Sequence, residues 1–177
     1  MERTRIVFSG SGGQGVITAA IILAEAAVMH EGLNAVQTQS YGAAARGGAT
    51  RSDVIISDEE INYPKVIQPN ILVCLTQESY NAFSAIIRPG GLLITDSRYV
   101  QIQRKVDAMQ RELPIHATVM ESIGKPIVFN ICMLGAVLGL TDMINPSSIL
   151  KVLKERIPPS FLDMNRKALQ LGIDLAK

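Results

Sequence analysis

The residues best suited to bind an anion lie in a glycine-rich run, S-G-S-G-G-Q-G, from Ser9 to Gly15 of the 177-residue chain. An apolar run precedes it and a long stretch of helix-forming residues follows it, which predicts a turn from a strand into a helix. Backbone N–H groups and the positive end of the helix dipole converge at such a turn, so phosphates and carboxylates bind there readily. The candidate binding residues in this run are Gly10, Gly12, Gly13, Gln14 and Gly15.

A second candidate lies in the segment Tyr41 to Gly48, which reads Y-G-A-A-A-R-G-G. Arg46 can present its planar guanidinium beside the exposed N–H groups of the two glycines that follow it, an arrangement suited to a carboxylate or a phosphate. A loop arginine paired with a nearby carboxylate explains the same residue equally well. The candidate residues of this segment are Arg46, Gly47 and Gly48.

The glycine spacing also fits the G-x-G-x-x-G pattern of dinucleotide-binding proteins, through Gly10, Gly12 and Gly15. Such a site needs an acidic residue roughly 20 positions later to bind the ribose hydroxyls. No Asp or Glu occurs between Glu31 and Asp53. This absence disfavours a stand-alone nucleotide-binding Rossmann-like enzyme, which remains the alternative function, and tight helix–strand packing alone is a further explanation of the glycines.

Other chemical groups are scarce, and the sequence predicts neither a catalytic residue nor a metal site in this chain. The glycine run lacks the Gly-Lys-Ser/Thr ending of a phosphate-binding P-loop. His30 and His116 have no visible partner and are interpreted as structural. Cys74 and Cys132 each lie in an apolar segment, which predicts buried free thiols and leaves no thiolate cluster for zinc or iron–sulfur ligation.

The elements that must position these residues follow an α/β pattern with a Rossmann-like β-α-β opening. An antiparallel hairpin, Ala49–Ser57 with Ile61–Tyr63, predicts a mixed sheet. The other predicted strands are Thr4–Ser9, Leu33–Ser40, Ile71–Leu75, Leu92–Asp96 and Leu113–Val119. The predicted helices are Val16–Met29, a helix capped by Thr76 and ending at Ile87, and a helical C-terminal third made of Ile127–Leu140, Pro146–Arg156 and Ser160–Lys177.

The length and charge of the chain indicate a single domain and argue against nucleic-acid-binding and membrane proteins. The chain fits a single domain, 1–177, and Gly135 and Gly139 predict a close helix contact in its core. The formal net charge is +1 and no basic run exceeds two residues, which argues against nucleic-acid or anionic-membrane binding. The longest uncharged apolar stretch, Pro126–Thr141, is too short to span a membrane, and no signal-peptide core is evident. These features predict a cytoplasmic protein.

Several motifs, in this order, resemble the gamma subunit of the 2-oxoacid:ferredoxin oxidoreductases. They are G-S-G-G-Q-G-V at Gly10–Val16, S-Y-G at Ser40–Gly42 with R-G-G at Arg46–Gly48, and S-D-V-I-I-S at Ser52–Ser57 with Ile61 and Pro64. The resemblance implies a three-layer α/β fold with a mixed sheet. It also implies a multisubunit enzyme that oxidatively decarboxylates a 2-oxoacid to its acyl-CoA and reduces ferredoxin, the isolated chain being inactive.

The resemblance further implies that thiamine diphosphate, Mg and iron–sulfur clusters are held chiefly by other subunits, and that coenzyme A enters the assembled complex. The expected partners are the alpha and beta subunits, with delta as a further candidate, and ferredoxin as electron acceptor; a homodimer is a candidate state of the isolated chain.

The two glycine-containing segments would face partner subunits or the coenzyme A channel. The favoured substrate is 2-oxoglutarate, with pyruvate, branched-chain 2-oxoacids and indolepyruvate as alternatives. Apolar parts of Val16–Met29 or Ile127–Leu140 are expected to dock on the partners.

Overall fold

A computed structural model describes residues 3–40 and 48–177 of the chain. Strands in these residues form one mixed sheet in the order β2-β3-β1-β4-β5-β6. The strands are β1 (Thr4–Gly10), β2 (Asn34–Ser40), β3 (Thr50–Ser57), β4 (Ile71–Cys74), β5 (Gly91–Asp96) and β6 (Ala108–Leu113). The helices are α1 (Val16–His30), α2 (Gln77–Phe83), α3 (Ile115–Ser122), α4 (Phe129–Thr141), α5 (Pro146–Arg156) and α6 (Pro159–Leu175).

The mixed character of the sheet comes from β3. This strand runs antiparallel to β1 on one side and to β2 on the other, whereas β1, β4, β5 and β6 are mutually parallel. An antiparallel hairpin is therefore present, but its strands are β2 and β3. The predicted pairing of Ala49–Ser57 with Ile61–Tyr63 is wrong, because both edges of β3 are already occupied and residues 61–63 form no strand.

Both faces of the sheet are covered, which confirms the three-layer α/β class. Ile6 and Phe8 of β1 point into a core shared with α1, α3, α4, α5 and α6. Val7, the residue between them, points into a smaller core on the opposite face that contains Tyr80 of α2. A strand buried on both faces reads as a continuous apolar run, as β1 does in the sequence.

One predicted strand is replaced by a helix. Leu113–Val119 was expected to be a strand carrying His116, but β6 ends at Leu113 and α3 begins at Ile115. The carboxylate of Asp96, at the end of β5, accepts the backbone N–H of His116 at 2.7 Å. This bond satisfies a donor in the first turn of α3 that has no partner within the helix, and it stabilises the helical conformation of the segment.

The helical C-terminal third is confirmed, and so is the predicted close contact at its glycines. A Cβ added at Gly135 would meet the Leu169 carbonyl of α6, and one added at Gly172 would meet the Cys132 carbonyl of α4. The backbones of α4 and α6 therefore touch. Phe129 to Leu138 of α4 are buried within the chain, whereas Ile127, at the start of the predicted docking segment Ile127–Leu140, is 73% exposed.

Among residues 3–40 and 48–177, no helix combines the length and apolar character needed to cross a bilayer.

Candidate functional site

The glycine-rich run forms the predicted turn from β1 into α1. It lies at the edge of the sheet where the parallel strands β1 and β4 both end, and the N–H of Leu75 after β4 donates to the Ser9 carbonyl at 2.9 Å. Gly15 is the N-cap of α1, and its φ of 75° is in the left-handed region that favours glycine. The turn therefore brings Gly10, Gly12, Gly13, Gln14 and Gly15 together.

The side chain of Gln14 closes this turn. Its Oε1 accepts the backbone N–H of Ser11 at 2.8 Å, and its Nε2 donates to the Leu75 carbonyl at 3.1 Å. A backbone donor that an anion could have used is thus satisfied by the protein itself. Ser9 is fully buried and its hydroxyl donates to the Val73 carbonyl at 2.7 Å, so it is not placed to act as a nucleophile.

The turn also packs against the start of α4. Asn130 Nδ2 donates to the Gly15 carbonyl at 3.3 Å, and a Cβ at Gly15 would collide with the Asn130 side chain. The first turn of α1 contains no acidic residue, and its N-cap, Gly15, has no side chain to cap it. The glycine turn is therefore held between β4 and α4, with the N-terminal end of α1 beside it.

The described residues on either side of the second candidate segment lie at this same end of the sheet. Gly10 pairs with Thr50 across β1 and β3, and Ser40 pairs with Arg51 across β2 and β3. Gly48, two residues before Thr50, therefore leads into β3 next to the glycine turn. Arg46 and Gly47 lie outside the described residues. The register thus places the start of β3 beside the glycine turn, and the contacts of Arg46 stay a prediction.

A groove of about 460 Å³ lies beside the glycine turn, between α1, α4 and α6. Ile127 and Phe161 stand at its rim with 73% and 44% of their surfaces exposed. None of the described residues that line it carries a charge. They are Gly13, Gln14, Gly15, Thr18, Ile22, Pro126, Ile127, Val128, Asn130, Ile131, Ile157, Pro158, Phe161, Met164 and Asn165. This groove was not predicted from the sequence, because its walls come from three separate segments.

Asp96 also has a structural role that was not predicted from the sequence. Its side chain is fully buried and accepts two backbone N–H groups, that of Arg98 at 2.8 Å and that of His116 at 2.7 Å. The His116 ring packs edge-on against Tyr99, with 5.4 Å between the ring centroids. Asp96 thus ties the end of β5 to α3. An aspartate at the end of an apolar strand was the available signal.

The two cysteines are buried free thiols, as predicted. Burial raises the pKa of Cys74 to about 12. Burial, with the negative charge of Asp96 as a second cause, raises the pKa of Cys132 to about 12. Among the described residues, no group of three or more His, Cys, Asp or Glu side chains is placed to hold a metal ion.

We expect both thiols to be unreactive in the folded protein, because the thiolate is the reactive form and both side chains are fully buried. Titration with a thiol reagent such as dithionitrobenzoate at about pH 8 should label neither cysteine in native buffer and both in denaturant. Rapid labelling of one thiol in native buffer would contradict this burial.

An ion pair ties α1 to the end of α5, close to the groove. Arg156 Nε donates to Glu25 Oε2 at 2.6 Å, and this hydrogen bond lowers the pKa of Glu25. Because the pKa of Glu25 is lowered in the folded state, the ion pair stabilises the fold at pH values above the ordinary pKa of a glutamate. This stabilisation is lost as the pH falls through the lowered pKa. Both side chains are more than a third exposed, so the contribution is small.

We expect Glu25→Gln to lower the free energy of unfolding by about 0.5 kcal/mol at about pH 7 and to have no effect at about pH 3. Urea unfolding at several pH values measures the difference. Glu155→Gln, which removes an exposed carboxylate next to Arg156 in the sequence, is the control and should change little at either pH. A Glu25→Gln effect that persists at the lower pH would show that the ion pair is not its cause.

Comparison with known proteins identifies the family. The family model of the pyruvate ferredoxin/flavodoxin oxidoreductases matches residues 5–175. The chain belongs to this family. It is 42% identical over 177 residues to the 2-oxoglutarate synthase subunit KorC of Methanocaldococcus jannaschii, covering 99% of this chain and 95% of that protein. The crystal structure of a keto/oxoacid ferredoxin oxidoreductase gamma subunit from Geobacter sulfurreducens superimposes with a TM-score of 0.90 at 40% identity, covering 99% and 97% of the two chains.

Family members named for other substrates are more distant. The pyruvate synthase subunit PorC of Methanothermobacter marburgensis is 30% identical and matches over 97% of each chain. The ketoisovalerate oxidoreductase subunit VorA of the same organism is also 30% identical, but the match covers 99% of this chain and only 37% of VorA. The predicted resemblance to oxidoreductase gamma subunits is confirmed, and the relatives are subunits of 2-oxoacid oxidoreductases.

Proposed function

We propose that this chain is the gamma subunit of a 2-oxoglutarate:ferredoxin oxidoreductase, which converts 2-oxoglutarate and coenzyme A to succinyl-CoA and reduces ferredoxin. The observation that carries the proposal is the 42% identity with a 2-oxoglutarate synthase subunit over nearly the whole length of both chains. Subunits named for pyruvate and for ketoisovalerate are 30% identical. Pyruvate, branched-chain 2-oxoacids and indolepyruvate are the alternative substrates.

The chemistry of the described residues supports a subunit that works only with partners. Oxidative decarboxylation needs a cofactor that stabilises a carbanion and carriers that accept electrons. Both cysteines are buried with raised pKa values, and the described residues hold no cluster of metal ligands. Thiamine diphosphate, Mg and the iron–sulfur clusters therefore belong to the alpha, beta and delta-type partners in our proposal.

We assign the two neighbouring segments to the side of the chain that faces these partners. The glycine turn supplies Gly10, Gly12, Gly13, Gln14 and Gly15, and the second segment supplies Arg46, Gly47 and Gly48. Arg46 is the cation of this set, and its role is to contact a carboxylate of a partner or a phosphate of coenzyme A. The stand-alone nucleotide-binding alternative loses support because β3 separates β2 from β1, so that the end of β2 does not adjoin the glycine turn.

Purification of the affinity-tagged chain from its native cells tests this assignment. We expect it to elute with subunits that carry thiamine diphosphate and iron, both measurable in the eluted complex. As a control, the same chain purified alone should not bind NAD, NADP, FAD or ATP stoichiometrically in calorimetric titrations. A chain that elutes without such partners and binds one of these nucleotides tightly would support the alternative instead.

A further inference from the structure

We infer that the groove beside the glycine turn is a docking site for an uncharged, apolar segment of a larger subunit of the same complex. The inference rests on the proposed function, since it presupposes a complex. It goes beyond that proposal by naming the surface, the side chains that carry the contact and the chemistry of the segment that fits. Coenzyme A is the competing occupant of the same site.

The chemistry of the groove favours an apolar occupant. Its described lining residues include no charged side chain, and nine of them are Ile, Val, Met, Phe or Pro. Ile127 and Phe161 at the rim are large apolar side chains with 73% and 44% exposure. Single exposed apolar residues are common on protein surfaces, but two at the mouth of an apolar concavity mark an interaction site.

The walls of the groove are fixed before any partner binds. Gln14 is hydrogen bonded to Ser11 and Leu75, and Asn130 donates to the Gly15 carbonyl. On the opposite wall, Asn165 Nδ2 donates to the Phe161 carbonyl at 2.9 Å. A rigid groove loses little conformational entropy when it is filled, which favours tight association. These polar groups are thus used to hold the walls in place.

Coenzyme A carries several phosphate charges, and none of the described residues that line the groove is a cation. Three basic residues adjoin lining residues in the sequence: Lys125, Arg156 and Arg166. The Arg156 guanidinium is bound to the Glu25 carboxylate, and Arg166 lies 3.6 Å from the Asp163 carboxylate. The Ser11 N–H of the glycine turn is occupied by Gln14. The lining of the groove is mainly apolar carbon, so an apolar side chain would meet complementary surface there.

The lengths of the relatives identify the kind of partner. In VorA, the segment that matches this chain accounts for only 37% of the protein, so this fold is covalently joined there to a larger remainder. KorC, which the match covers over 95% of its length, has no such remainder, so a subunit of that kind must hold a larger partner through its surface. In this chain, the apolar groove with Ile127 and Phe161 at its rim is the surface that suits such a contact.

Reconstitution of the complex from this chain and its separately purified partner subunits tests the inference. Ile127→Asp and Phe161→Asp place a charge at the rim of the groove. Ile67→Asp is the matched control, because Ile67 is 70% exposed, against 73% for Ile127, and does not line the groove. Circular dichroism of each isolated variant checks that it is folded. The dissociation constant for the partner subunits and that for coenzyme A in the complex are then measured.

We expect Ile127→Asp and Phe161→Asp each to raise the dissociation constant for the partner subunits by about tenfold or more, and Ile67→Asp to change it by less than about twofold. Rim variants that assemble like the wild type would overturn the inference while leaving the proposed function intact. Rim variants that assemble normally but bind coenzyme A more weakly would also overturn it and assign the groove to coenzyme A. A wild-type chain that binds no partner subunit would contradict the proposed function itself, and the groove inference with it.

Discussion

Replacing Gly172 with alanine is expected to lower the free energy of unfolding by about 3 kcal/mol. A Cβ at this position in α6 would lie against the Cys132 carbonyl and the Ala136 nitrogen of α4, which are backbone atoms that cannot turn away. The two helices would have to separate, and the separation would loosen the packing on both sides of the contact. Helix propensity acts in the opposite direction, because alanine in a helix is favoured over glycine by about 1 kcal/mol.

The sign of the Gly172→Ala effect therefore decides whether α4 and α6 are in backbone contact. Urea unfolding monitored by circular dichroism measures the free energy. Gly139→Ala serves for comparison and should lower the free energy of unfolding by less. Its Cβ would meet Ala176 and Ile173 near the C-terminal end of α6, where the helix can shift at a smaller cost. A Gly172→Ala protein as stable as the wild type, or more stable, would contradict the close contact.

Gly15→Ala is expected to destabilise the protein by about 2 kcal/mol or more, because two separate penalties act at this position. Its φ of 75° is unfavourable for any residue with a Cβ, and the added Cβ would collide with the Asn130 side chain. The collision would displace Asn130 from the wall of the groove. We therefore also expect weaker association with the partner subunits.

Gly13→Ala is the matched control for the Gly15 variant. Its φ is 90°, but a Cβ there would have no neighbour within 4 Å. It should cost about 1 kcal/mol from backbone strain alone. Thermal or urea unfolding of the two variants separates strain from collision, and equal losses for both would show that the contact between the glycine turn and α4 is not important for stability.

Local sequence patterns were sufficient for much of the fold. The apolar run before Gly10 predicted β1, and the capping residue Thr76 predicted the start of α2, where it forms the expected side-chain hydrogen bond. The glycines of α4 predicted a close helix contact without identifying α6 as the partner. These features depend on neighbouring residues, so a single sequence reveals them.

The features that could not be predicted depend on residues far apart in the chain. The alternation in Ala49–Ser57 indicated an antiparallel strand, but its partners β1 and β2 are set by long-range pairing. The Pro114 region changes from strand to helix because Asp96 caps α3 from β5. Gln14 closes the glycine turn by bonding to Leu75, 61 positions away. The apolar groove likewise exists only once α1, α4 and α6 are assembled.

The most direct test of the proposed function is the 2-oxoacid oxidation rate of the reconstituted complex with and without this chain. We predict coenzyme A-dependent reduction of ferredoxin with a kcat/KM for 2-oxoglutarate at least about tenfold higher than for pyruvate, which corresponds to about 1.4 kcal/mol of transition-state discrimination. We also predict that omitting the chain abolishes this activity. A complex that is equally active without the chain, or that prefers pyruvate, would contradict the assignment.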